Sequence, residues 1–251
     1  MVSDVHGRVE ALRRAADGAD ILICLGDLVL FLDYEDASAG IFAQVFGADD
    51  ARRLVALRTA RDFDAARAFS RDLWASLDGN PREVIDAAVR AQYSELFDAM
   101  PEPAFLTYGN VDVPALWPDY VKPGHTVLDG QVVEIGGRTW GFVGGGLRTP
   151  MRTPHEIDDE AYAAKVAAVG AVDVLACHIP PDVPGLLYDV QARRFERGSA
   201  AVLDAIRETA PGLVLFGHVH QPLRSRVRIG RTECVNVGHF RGTGTPFVLE
   251  Y

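Results

Sequence analysis

Cysteine is scarce: only Cys24, Cys177 and Cys234 occur in 251 residues, and each sits inside an apolar run. An odd count placed this way excludes a disulfide framework. It reads as three buried, reduced thiols in a reducing compartment, and so as a cytoplasmic protein. No apolar run has transmembrane length, and Ser3, Asp4, His6 and Arg8 fill the start where a signal peptide needs an apolar core. Positive charge is also short, with 25 Lys and Arg against 35 Asp and Glu and a formal net charge of -10. That balance disfavours nucleic acid and anionic membrane as partners and leaves a small or exposed anionic substrate whose charge a metal neutralises. There is no internal repeat or low-complexity linker. No Walker-type Lys-Ser/Thr follows Gly144, Gly145 and Gly146, so these glycines are weak support for a phosphate loop.

What remains is a globular composition, 48% hydrophobic and 24% charged, read as one domain over residues 1–251. Leu213 to Phe216 is a buried-strand run that leads into Gly217-His218-Val219-His220, with Gly217 expected to let the backbone turn. Met1 to Asp4 resembles the end of another buried strand, so short that it is expected to anchor Asp4 and His6 weakly. Arg8 to Ala16 has helical spacing, and Ile21 to Leu25 is a strand that stops at Gly26-Asp27. The acidic stretch Asp33-Tyr34-Glu35-Asp36 reads either as a solvated loop or as a neighbour of the site. Asp49 to Leu77, free of Gly and Pro until Gly79, predicts one long helix, and Arg82 to Met100 a second. This helical insertion, about 49–100, is expected to form a wall over the site or a contact between copies of the chain in a homo-oligomer.

Beyond it, Ala104 to Tyr108 is a strand ending in Gly109-Asn110. Thr126–Leu128, Val132–Ile135 and Thr139–Val143 have the spacing of an antiparallel meander. His155 to Val169 reads as a helix, Val172 to Cys177 as a strand ending at His178, and Ser199 as the cap of a helix to Ala210. Arg224–Ile229, Thr232–Val237 and Pro246–Leu249 form a second antiparallel set. The fold class is therefore α/β with antiparallel additions, a mixed α+β layout.

Five strand ends carry Asp4 with His6, Asp27, Asn110, His178, and His218 with His220, and every one of these is a metal-ligand type. Mixed imidazole and carboxylate donors suit Mn, Fe, Zn, Co or Ni, and do not suit Ca or a Cys-type zinc site. The ordered blocks Asp4-Val5-His6, Gly26-Asp27, Gly109-Asn110, His178 and Gly217-His218-Val219-His220 resemble the calcineurin-like metallophosphoesterase superfamily across nearly the whole chain.

The resemblance implies an αββα sandwich of two facing mixed β-sheets flanked by helices. It also implies two divalent metal ions, one held by Asp4, His6 and His220, the other by Asn110, His178 and His218, with Asp27 bridging. A hydroxide between the ions would attack phosphorus in line, with Asp27, Asn110 and His218 as catalytic residues and Asn110 and His239 facing substrate. The implied activity is phosphoester hydrolysis, diesters ahead of monoesters. A monoesterase, a nuclease and a non-catalytic interaction scaffold of the same fold are the alternatives.

The chain departs from the family at informative places. Where the family often has a His after Gly-Asn, a candidate general acid, this sequence has Val111 followed by Asp112. Val donates no proton, so esters with poor leaving groups should suffer unless His155, His239, water or a metal substitutes. Leu28 to Leu32 lacks the Arg that serine/threonine phosphatases carry after the Asp, which disfavours that subgroup. His125 and His155 are expected on surface loops.

Overall fold

The computed structural model describes residues 1–250. They divide into two compact units, one of residues 1–28 and 96–250, the other of residues 29–95.

The first unit is built on two sheets. Leu22–Cys24, Ala104–Leu106 and His125–Val127 pair in that order, all parallel. The larger sheet runs Arg226–Ile229, Thr232–Asn236, Leu213–Phe216, Val174–Cys177, Arg138–Val143, Gln131–Ile135, with four parallel strands in the middle and an antiparallel hairpin partner at each edge. Alternation along its strands divides the core. Trp140, Phe142, Val174, Ala176, Leu215 and Val235 pack with Ile23 and Leu25 of the smaller sheet. The intervening residues Val143, Leu175, Cys177, Val214, Phe216 and Cys234 pack with Tyr162 and Val166 of helix Asp159–Val169 and with Val202 and Ile206 of helix Ala200–Thr209. The period of two on each strand thus feeds two separate apolar layers, as a sheet covered on both faces requires. Parallel strands also send their carboxyl ends to one edge, which is why residues far apart in sequence can meet there.

Several sequence expectations shift in detail. The parallel pairing of His125–Val127 with Ala104–Leu106 removes it from the predicted meander, leaving only the hairpin of Gln131–Ile135 with Arg138–Val143. Residues 246–249 form no strand, although the Phe247 N–H donates to the Met1 carbonyl. The first helix shrinks to Val9–Leu12, and the helix expected from His155 starts at Asp159, where Asp158 caps it through the Ala161 N–H. Ser199 caps its helix as expected, accepting from the Val202 N–H. All three cysteines are buried free thiols. His125 is buried too, only 7% exposed, on the edge strand of the smaller sheet with its ring 6.0 Å from that of Phe97.

In the second unit the predicted long helix is two, Ala48–Thr59 and Phe63–Ala75. Arg61 takes a left-handed φ of 60° and Asp62 caps the second helix by accepting from the Ala65 N–H, so a cap in mid-run overrides good helix propensity. Phe42, Leu54 and Ala66 form its core, with the Phe46 and Trp74 rings 4.6 Å apart. Asp33 belongs to this unit, where its Oδ1 accepts the Glu35 and Asp36 N–H groups and closes a local turn. No helix among the described residues is long and apolar enough to cross a membrane.

Candidate metal centre

The parallel strand ends converge, and three glycines explain how closely. A Cβ on Gly26 would lie 1.9 Å from the Gly109 nitrogen, one on Gly109 would lie 2.0 Å from Asp27 Oδ1, and one on Gly217 would lie 1.9 Å from Ser3 Oγ. Each ligand-bearing turn therefore rests on the backbone or side chain of its neighbour with no room for a methyl group. At Gly217 the requirement is close approach; the left-handed residue is His218, with φ 67°. Asp4, His6 and Asp27 are left-handed as well, at φ 56°, 41° and 56°. Four non-glycine residues in this region at one edge represent stored strain of about 1–3 kcal/mol each, which the surrounding contacts must hold.

Those contacts are dense. Val2 bridges Cys24 in parallel, and the N–H groups of Asp4, His6 and Gly7 donate to the carbonyls of Gly26, Asp27 and Leu28. Phe240 and Arg241 donate their N–H groups to the carbonyls of Ser3 and Asp4. Met1 to Asp4 forms no strand beyond the single bridge at Val2, but the segment is held from both sides, contrary to the weak anchoring expected.

The structure brings all seven sequence-selected residues together. Ligand atoms of Asp4, His6 and Asp27 lie within 4.8 Å of one another, as do those of Asp27, His178 and His218. Asp27 is common to both groups. His220 Nε2 is 3.4 Å from Asp4 Oδ1, and Asn110 Oδ1 is 3.0 Å from His178 Nε2 and 2.9 Å from His218 Nδ1. The Leu25 carbonyl sits 2.7 Å from His178 Nδ1. A carbonyl only accepts, so that nitrogen carries hydrogen and Nε2, 3.3 Å from Asp27 Oδ2, is the free ligand atom of the neutral ring.

His239 forms a third group with His6 and His220, its ring stacked on His220 at 3.8 Å and 6° between planes. Its Nε2 is buried without a hydrogen-bond partner among the described residues. His155 is partly buried beside Tyr108 and Asp129 and belongs to none of the three groups.

Electrostatics show what charge the site wants. Burial works to raise the Asp27 carboxyl, yet the His178 charge outweighs it and holds Asp27 at about 2. Burial opposes the Asp4 charge in the same way, and His220 with its neighbours keeps that carboxyl well below the ordinary range. Burial would lower His178, but Asp27 lifts it from 6.5 to about 9, and Asp4 raises His220 against the same opposition. Without a cation, protons on imidazoles balance the two buried carboxylates. A divalent ion supplies that charge directly, so the acceptor-rich donor set fits a metal centre.

A pH dependence follows. The raised His178 stabilises the folded metal-free chain fully below pH 6.5, and that contribution disappears as pH rises through about 9. The stability advantage of the metal-free protein over its His178→Gln variant, from denaturant melts across this range, is expected to shrink with rising pH. An advantage that grows instead contradicts the ion pair.

Sequence reading passed over Asp112, noted only as the residue after Val111. Its carboxylate accepts the N–H groups of Asp27 at 2.8 Å, Leu28 at 3.0 Å and Gly109 at 2.8 Å, tying two ligand-bearing turns to one side chain. Burial and the neighbouring Asp27 charge raise its carboxyl to about 6. The only sequence signal was an acidic residue two positions after Asn110.

The family model described as Calcineurin-like phosphoesterase matches residues 1–222. A solved crystal structure superposes with a TM-score of 0.55 at 17% identity, covering 95% of this chain and 89% of that one, a likeness of fold alone. No curated protein matches the sequence.

Proposed function

Because the chain belongs to the calcineurin-like phosphoesterase family, we propose that it hydrolyses a small or exposed phosphate ester, diesters ahead of monoesters, at a site for two divalent ions of the Mn, Fe, Zn, Co or Ni type. When bound, such a pair would supply Lewis acidity toward the phosphoryl oxygens and a water of lowered pKa. The observation that carries the reading is the position of Asp27, whose carboxylate shares a donor group with Asp4 and His6 and another with His178 and His218.

Asp4, His6 and His220 would hold one ion, Asn110, His178 and His218 the other, and Asp27 would span them. The Val111 N–H donates to Asp27 Oδ1 at 2.9 Å, which leaves Oδ2 facing His178 and His6. His239, stacked on His220 with its Nε2 lacking a hydrogen bond among the described residues, would present that nitrogen to the ester. Three buried thiols support a reducing, cytoplasmic setting, and the net charge of -10 favours a compact ester over nucleic acid or membrane.

Position 111 shapes the substrate range. No side chain there can protonate a leaving group, a function worth about 10²–10⁴-fold in rate. Nitrophenyl esters, whose leaving groups need little protonation, are expected to turn over at least about 100-fold faster than alkyl monoesters. The test assays nitrophenyl diester, nitrophenyl monoester and alkyl monoester with each metal in turn, alongside metal analysis. Equal rates on alkyl and nitrophenyl monoesters defeat the leaving-group argument. Absence of hydrolysis with every metal favours a non-catalytic scaffold.

A further inference from the structure

Asn110 can serve as a ligand only if its amide oxygen, and not its NH₂ group, faces the two imidazoles. No local preference decides this: the two ends of an amide are nearly the same shape, and orientation is set by hydrogen bonding. The loop 149–156 settles it. Asn110 Nδ2 donates to Thr153 Oγ1 at 3.0 Å, and Thr153 Oγ1 donates to Glu156 Oε1 at 2.9 Å. Glu156 also accepts the Thr149 hydroxyl and the Thr149 N–H, each at 2.7 Å.

An ionised carboxylate has no proton to give, so the Thr153 hydroxyl must spend its single hydrogen on Glu156 and can only accept from Asn110. Reversing the amide would set its oxygen against an oxygen with no hydrogen to offer, and its NH₂ against His178 and His218. The backbone fixes the rest. Gly146 and Leu147 pair in parallel with Glu156 and Ile157, the His155 N–H donates to the Asn110 carbonyl at 2.9 Å, and a Cβ on Gly146 would fall 2.6 Å from Asn110 Cβ. One short ladder therefore seats both Asn110 and the carboxylate that orients it.

We propose that Glu156, acting through the Thr153 hydroxyl, is the positioning residue that turns the Asn110 oxygen toward the ion held with His178 and His218. This rests on the metal-site reading above. Thr153→Val keeps the shape but removes the acceptor. Glu156→Gln supplies a group that can donate and so releases the hydroxyl from its single direction.

The probe is Mn²⁺ titrated calorimetrically into the metal-free full chain, with thermal melts of each metal-free variant. Both substitutions are expected to weaken one of two Mn²⁺ binding events by about 10–100-fold and leave the other within about 2-fold. Thr153→Ser is expected to restore binding to within about 3-fold of the unaltered protein. Should Thr153→Val fail to fold, Glu156→Gln with the Thr153→Ser comparison carries the test. Unchanged affinity for both ions in the folded variants, or equal weakening of both, overturns the proposal. Failure of the unaltered protein to take up Mn²⁺ overturns the metal reading itself, and this inference with it.

Discussion

Asp27→Asn is expected to cost the protein both ions and to lower phosphoester hydrolysis by about 10²–10⁴-fold, the rate equivalent of several kcal/mol of lost charge stabilisation. The reason is its place. The carboxylate is 3% exposed, sits 3.3 Å from His178 Nε2 on one side and 3.9 Å from His6 Nε2 on the other, and is the member common to two donor groups. Asparagine keeps the size and can still accept the Val111 N–H, so the backbone turn is preserved, but it removes the negative charge that a divalent ion requires and, in the metal-free chain, the ion pair with His178. His220→Ala and His218→Ala should each weaken mainly one ion, since His220 lies against Asp4 and His218 against Asn110. Metal content of the purified variants, measured beside nitrophenyl ester hydrolysis, decides the matter. An Asp27→Asn protein that retains two ions and most of its rate removes the shared carboxylate from the mechanism.

The second large effect is on stability. Gly26→Ala is expected to destabilise the protein by about 3–5 kcal/mol, from overpacking plus a left-handed backbone penalty of about 1–2 kcal/mol. Gly26 has φ 90°, and an added Cβ would meet the Gly109 nitrogen at 1.9 Å and the Tyr108 carbonyl carbon at 2.4 Å, both backbone atoms that cannot swing aside. Relief would require separating the Gly26-Asp27 turn from the Gly109-Asn110 turn, which breaks the hydrogen bonds that Asp112 makes to both. Gly170→Ala is the control. It too has positive φ, 64°, but nothing lies within 4 Å of its added Cβ, so only the backbone penalty applies. Urea unfolding of the two variants should separate them by about 2 kcal/mol or more; equal losses would mean that the close approach of the turns is not what Gly26 provides.

Three glycines at the site show a demand that local sequence does not carry. Gly26, Gly109 and Gly217 stand before ligands in the sequence and suggest turns, yet only Gly26 of the three is left-handed. At Gly109 and Gly217 the demand comes from another strand end pressing against the Cα, and no property of the local sequence carries that information. The helix break at Arg61-Asp62 is a similar case. The run has helical composition throughout, so propensity extends one helix across a site where the Asp62 side chain instead caps a new one.

Candidate ligands were legible because chemistry restricts them. Few side chains bind a divalent ion, and their position just after short apolar strands is a local pattern. The parallel α/β character was legible for the same reason, through strand runs of three to six residues, several of them spaced by helices. The arrangement of sheets was less so: His125–Val127 joins the smaller sheet in parallel because Ala104–Leu106 offers it a free edge, a choice made by packing and invisible to periodicity.

By itself, then, the sequence determined which atoms could hold metal, that they would follow strands, and that no general-acid side chain stands at position 111. Only the tertiary structure decided how those atoms are aimed. Asp112 reaches Asp27 across 85 positions and Thr153 reaches Asn110 across 43, and hydrogen-bond direction between such distant partners depends on which groups folding places at 3 Å, where donors and acceptors must match.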